Sequence, residues 1–143
     1  MDVNKTEIER EISLYKKKIV ALQREISEKR KTIEKCDSAY VEICKKISET
    51  EARFQNELQN INKLAKKLPS GTNFGEEYYD RFRSIIFGKN ANNAISDLNG
   101  TKENLKNKSY DLEDEIQHLL DKIQYYNDRI EELKQKILSI KEN

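Results

Sequence analysis

Apolar residues recur along the first half of this chain at alternating steps of four and three: Ile8, Ile12, Tyr15, Ile19, Leu22 and Ile26, then Ile33, Cys36, Tyr40, Ile43 and Ile47. That spacing stacks side chains on one face of an α-helix. With Ile12 as heptad position a, the a series runs through 19, 26, 33, 40, 47, 54, 61 and 68 and is mostly isoleucine. The d series holds Ile8, Tyr15, Leu22, Cys36, Ile43 and Leu64, interrupted by Lys29, Thr50 and Glu57. A second run repeats the pattern, with Ile95, Lys102, Ser109, Ile116, Ile123, Ile130 and Ile137 at a. Its d positions are Leu98, Leu105, Leu112, Leu119, Tyr126, Leu133 and Ile140. A seven-residue repeat sustained over this length predicts helices that supercoil left-handedly.

Between the runs the pattern breaks. Residues 66–93 hold the only proline, three of the four glycines, and five of the eleven Phe and Tyr residues. Pro69 cannot continue a helix, because it lacks an N–H and clashes with the preceding turn. Gly71 and its Ser, Thr and Asn neighbours form a turn. Residues 75–87 read as a short helix, started by Glu76 and Glu77 and ended by Gly88. The expected fold is all-α: a long antiparallel coiled-coil hairpin with a short helical, aromatic-rich connection. Its single domain spans residues 1–143, with one arm over about 4–68, the connection over 69–90, and the second arm over about 91–142.

The polar residues inside the seams suggest how the arms align. One register sets Glu57 opposite Lys102 and Thr50 opposite Ser109, while Ile43 meets Ile116, Cys36 meets Ile123 and Tyr40 meets Leu119. Moving one heptad either way strands Glu57 and Lys102 against uncharged side chains, which is costly in a seam. This alignment leaves Lys29 facing Ile130 and residues 1–15 overhanging without a partner. Leu14, Val20, Val41, Cys44, Leu58, Leu120 and Leu138 fall off the a/d line and would suit a further helix or a second hairpin.

Composition narrows the functional classes. Charged residues make up 37% and hydrophobic ones 36%, enough for a thin seam but not for a thick core. A formal net charge of +1 lacks the basic excess of a nucleic-acid binder. Residues 1–68 carry 16 Lys/Arg against 12 Asp/Glu (+4), and residues 69–143 carry 11 against 14 (−3), so the halves attract weakly. No apolar stretch reaches the roughly 18 residues of a membrane span. The N-terminus MDVNKTEIEREI has no apolar signal-peptide core. The expectation is a cytoplasmic protein without membrane insertion, and export by a machine that ignores such signals stays open.

Catalytic chemistry has little to work with. Cys36 and Cys44, on one helix, stand roughly 12 Å apart, beyond disulfide reach, and show no metal-ligand spacing. The one histidine, His118, falls at an outward c position. There is no glycine-rich phosphate loop and no nucleophile motif. No catalytic residue, metal ligand or cofactor site is expected, and the chain reads as a non-enzyme.

A heptad hairpin with a ring-rich bend resembles the small helical partner proteins encoded with LXG toxins of bacterial type VII secretion. In a branch of that family the turn carries a W-x-G-like element followed by small and amide residues. Here the nearest stretch is Ile86-Phe87-Gly88, continued by Lys89-Asn90-Ala91-Asn92-Asn93, with Phe74-Gly75 as a second candidate and no tryptophan in either. Tyr110-Asp111-Leu112-Glu113-Asp114 also resembles the Y-x-x-x-[D/E] element of type VII substrates, which makes Tyr110 and Asp114 a candidate secretion signal. The resemblance implies a non-enzymatic accessory or targeting factor. It would bind the helical N-terminal domain of an LXG toxin beside a second small helical protein and present it to the secretion ATPase. Phe74, Tyr78, Phe82, Ile85, Ile86 and Phe87 are the candidate contact residues, with a self-contained cap on the bend as the equal alternative. The rival class is a structural coiled coil, such as a homodimeric tether or scaffold.

Overall fold

The computed structural model describes residues 2–67, 74–86 and 88–142. Three α-helices account for nearly all of them: α1 (Asp2–Lys66), α2 (Phe74–Ile86) and α3 (Lys89–Glu142). Among the described residues only Lys67 and Gly88 lie outside a helix, and no strand is present. Each terminus has a local cause. The Lys67 N–H donates to the Leu64 carbonyl at 3.1 Å, tightening the last turn of α1, where Lys63 and Lys66 oppose the negative end of the helix dipole. Glu76 and Glu77 occupy the first turn of α2 and Arg83 its last, matching the opposite dipole ends. Asn92 N–H donates to the Gly88 carbonyl at 3.0 Å, so Gly88 opens α3 as well as following α2. The proposed turn residues Pro69 and Gly71 lie outside the described residues.

The chain divides into two compact units, Met1–Lys35 with Lys108–Asn143 (unit 1), and Cys36–Asn107 (unit 2). Unit 1 holds the core. Ile12, Ile19, Ile130 and Leu133 form one buried cluster, with Ile8, Tyr15, Ile123, Tyr126 and Ile137 packed against it. Ile26, Ile116 and Leu119 form a second, joined by Leu22, Ile33 and Ile123. All are a or d residues, so the seven-residue stripe is the buried one. Leu133 is 1% exposed, the most enclosed side chain described. Residue numbers rise along α1 as they fall along α3 in these contacts, so the two helices run in opposite directions in this unit.

The alignment inside unit 1 corrects the expected one. Tyr15 stacks on Tyr126 with ring centroids 5.4 Å apart, and Lys29 Nζ donates to Glu115 Oε2 at 2.8 Å. Lys29 therefore sits about two heptads from Ile130 along α3. Residues 1–15 do not overhang either: Ile8, Ile12 and Tyr15 pack into the first cluster. The physical reason is a comparison of magnitudes. An overhang would leave those three side chains in water, at about 1.5–3 kcal/mol for each aliphatic residue of full burial lost. Matching a few polar rungs near solvent is worth about 0–1 kcal/mol per pair. Burial outweighs polar matching.

Unit 2 is packed more thinly. Its single buried hydrophobic residue among those described is Ala65, against eight in unit 1. Phe54, Leu58, Ile61, Tyr78, Tyr79, Phe82, Ile86, Ile95, Leu98 and Leu105 are half-buried. The proposed Glu57–Lys102 rung lies wholly in this unit. Glu57 is exposed, Lys102 is half-buried, and no ion pair joins them. Thr50 is half-buried in unit 2, and Ser109 is buried in unit 1.

Candidate functional site

The helix α2 and its two junctions carry most of the candidate contact residues. Tyr78, Phe82 and Ile86 are spaced four apart, share one face, and are half-buried. The Tyr78 and Phe82 rings meet at 4.6 Å between centroids with their planes tilted by 50°. Gly75 explains how the start of α2 gets close to α1. A Cβ built there would stand 2.9 Å from the backbone carbonyl oxygen of Ala65, closer than side-chain carbons come to backbone. Ala65, buried and small, is the matching surface. At the other junction a Cβ on Gly88 would collide with the Ser84 carbonyl oxygen, so glycine is what lets the chain pass from α2 to α3 here.

Ile85 behaves differently from its neighbours: it is 66% exposed, the most exposed large hydrophobic residue described. The six candidate contact residues thus divide. Tyr78, Phe82 and Ile86 face inward, and Ile85 faces water. Phe87 lies outside the described residues, as does the side chain of Phe74. The spacing of α2 was readable in advance; the Gly75–Ala65 approach was not, because nothing local to residue 75 points to residue 65.

Tyr110 and Asp114 are both exposed on α3 in unit 1, one helical turn apart. His118 is exposed as well, and Cys36 and Cys44 are half-buried free thiols in unit 2. Among the described residues no three His, Cys, Asp or Glu side chains gather as metal ligands would. No described helix is long and apolar enough to cross a membrane.

Charge is organised on one flank of unit 1. Lys18 Nζ lies 5.7 Å from the Tyr15 ring centroid and 5.6 Å from that of Tyr126, a shared cation–π contact. Tyr15 donates its hydroxyl to Glu11 at 3.1 Å. Arg129 reaches Glu132 at 2.9 Å and Glu11 at 4.0 Å, and its hydrogen bonds to Glu132 and Tyr15 hold the guanidinium above its ordinary pKa. The Lys29–Glu115 hydrogen bond raises the Lys29 ammonium above its usual value and lowers the Glu115 carboxyl below its own; Glu25, 3.9 Å from Lys29, adds to the first effect. Lys29 was expected to face an isoleucine and instead has two carboxylates.

Comparison with protein-family models, with curated proteins and with solved structures finds no match to this chain.

Proposed function

We propose that this chain is a non-enzymatic accessory or targeting factor. In this reading α1 and α3 zip as an antiparallel coiled-coil hairpin whose aromatic-rich connection is α2. The connection docks the helical N-terminal domain of an LXG toxin, beside a second small helical protein, and the assembly is presented to the secretion ATPase in the cytoplasm. Tyr110 and Asp114 serve as the element that ATPase reads.

The observation that carries the reading is Ile85. A thirteen-residue helix half-buries Tyr78, Phe82 and Ile86, yet leaves an isoleucine 66% exposed beside them. Covering it with an apolar partner face would contribute about 1.5–3 kcal/mol less what the third already covered contributes. Thin seams leave no room for an enclosed substrate pocket, and long helices offer contact surface along their length.

The test is capture of this protein by a tagged toxin N-terminal domain after co-expression. Ile85→Asp should weaken capture at least about tenfold, since it replaces a buried contact by a desolvated charge. Circular dichroism should stay unchanged, because the side chain packs on little within the chain. Phe82→Asp should weaken both capture and fold. Undiminished capture by the Ile85→Asp protein would move the interface elsewhere, and no capture of the unaltered protein would end the toxin reading.

A further inference from the structure

In unit 2 the covered stripe of α1 departs from the heptad seam. Phe54, Leu58, Ile61 and Ala65, spaced by four, three and four, share one face; the first three are half-buried and Ala65 is buried. The d residues of the same turns, Glu57 and Leu64, are exposed, Leu64 by 50%. On α2, Gly75, Tyr78, Phe82 and Ile86 also share one face. Gly75 lies against the Ala65 carbonyl, so that face of α2 is the one turned toward α1. Docked this way, α2 leaves Leu64 bare on α1 and Ile85 bare at its own edge. Neither apolar surface is fully used.

We infer that α2 is a strap that shields its own contact face, and that it lifts off α1 when a partner takes that face. The inference rests on the reading of α2 as the docking element and adds how that site is regulated. Two observations carry it. The first is orientation: Tyr78, Phe82 and Ile86 lie on the inward face, and Ile85 is the one exposed large hydrophobic residue among the described side chains of α2. A single isoleucine falls short of the central cluster of aromatic and aliphatic anchors on which tight interfaces are built. The second is a slight hold. Among the described residues unit 2 has one buried hydrophobic side chain, the methyl of Ala65, against eight in unit 1. Local opening starts where burial is least. A helix of 13 residues is marginal in water by itself, so a lifted α2 keeps its helix only against another apolar surface, such as the groove of a helical domain. Shielding keeps the rings from water until that surface arrives, and it lowers the apparent affinity by the fraction of chains that are open.

Hydrogen exchange of the full chain without a partner reads the lifting. Amides of residues 78–86 should exchange at least about tenfold faster than the helical amides of unit 1, and faster still in Gly75→Val. Equal protection of α2 and unit 1 would overturn the strap. Capture by the tagged toxin N-terminal domain reads what the lifting serves. Gly75→Val and Leu58→Ala loosen α2 from either side while leaving Tyr78, Phe82, Ile85 and Ile86 in place. Each should lower the apparent Kd, by about fivefold or more for Gly75→Val, because more chains are open. Leu58 belongs to α1, so its variant changes no residue of α2 and guards against a misfolded Gly75→Val protein. A Kd raised or unchanged by Leu58→Ala would show that the docked form is the one that binds, and would overturn the inference. If the unaltered protein is not captured at all, the toxin reading fails by itself, and the exchange result still decides whether α2 lifts.

Discussion

Ile12 decides between the two alignments of α1 and α3. If the first fifteen residues overhung, Ile12 would be a solvated side chain and its truncation would be nearly neutral. In the structure it is 8% exposed and packs with Ile19, Ile130 and Leu133. Ile12→Ala removes three carbons at about 0.8 kcal/mol each, so the transfer loss is about 2.4 kcal/mol. The cavity left behind adds to this, toward the 2–5 kcal/mol typical of such truncations, but a seam open to water on its flanks can partly collapse. Alanine also propagates a helix better than isoleucine by a few tenths of a kcal/mol, which offsets part of the loss. The net expectation is about 2–3 kcal/mol.

That figure is large enough to measure. At about 2.1 cal/mol/K per residue, 143 residues have an unfolding entropy near 0.3 kcal/mol/K, so Tm should fall by about 7–10 °C if the chain unfolds as one. Should unit 1 unfold by itself, the shift would be larger and in the same direction. The control lies two residues away. Leu14 is 52% exposed, and Leu14→Ala should change stability by no more than about 0.5 kcal/mol. Urea unfolding followed by far-UV circular dichroism reads both variants at once. Equal midpoints for Ile12→Ala and Leu14→Ala would refute the packing of the first two heptads and restore the overhang.

Two glycines give predictions of opposite sign. Gly75→Val should destabilise the docking of α2 by about 1–3 kcal/mol, because the new Cβ has only the Ala65 carbonyl, a backbone atom, to push against; faster amide exchange across α2 would report it. Gly100→Ala should stabilise by about 0.4–1 kcal/mol, since it sits within α3 and its Cβ would meet nothing within 4 Å. The Lys29–Glu115 contact predicts two pH limits. Glu115 is depressed in the folded chain, so its share of stability is present above the ordinary carboxyl range and is lost as pH falls through the folded value. Lys29 is raised, so its share is present below the ordinary ammonium range and is lost as pH rises through the folded value. Glu115→Gln should flatten both slopes in a pH series of Tm, and added salt should flatten them in the unaltered protein; slopes unaffected by Glu115→Gln would show that other groups set the limits.

The helices themselves were legible because their signals are local. Steps of three and four over many turns specify which face is buried, and every member of the unit 1 clusters falls on that face. The short helix was expected over residues 75–87 and is found at Phe74–Ile86, since its acidic start and glycine end act within one turn. The register was not legible, and the reason is the repeat. A slide by whole heptads returns a residues to d partners every time, so the pattern that specifies a face is silent about position along it. Breaking the tie requires summing burial over both helices, including Ile8, Ile12 and Tyr15 near one end. Four polar seam residues near solvent carry too little energy to break it.

The site shows the same division between local and distant causes. Tyr78, Phe82 and Ile86 share a face by spacing alone, which the sequence displays. That Ile85 is left exposed depends on which face of α2 the rest of unit 2 covers, and that Gly75 must be glycine depends on Ala65. The flanks of unit 1 show it most fully. Heptad letters alone make the e and g flanks equivalent candidates for salt bridges. Which one is occupied follows from the register, because only the observed slide brings Arg129 to Glu11 and Lys29 to Glu115. The e flank carries Val20 and Leu120 and charges of both signs on each helix, Glu9 and Lys16 on α1 and Glu131 and Lys134 on α3. A register chosen by isoleucine burial therefore also decides which charges meet across the g flank, although those pairs take no part in the choice.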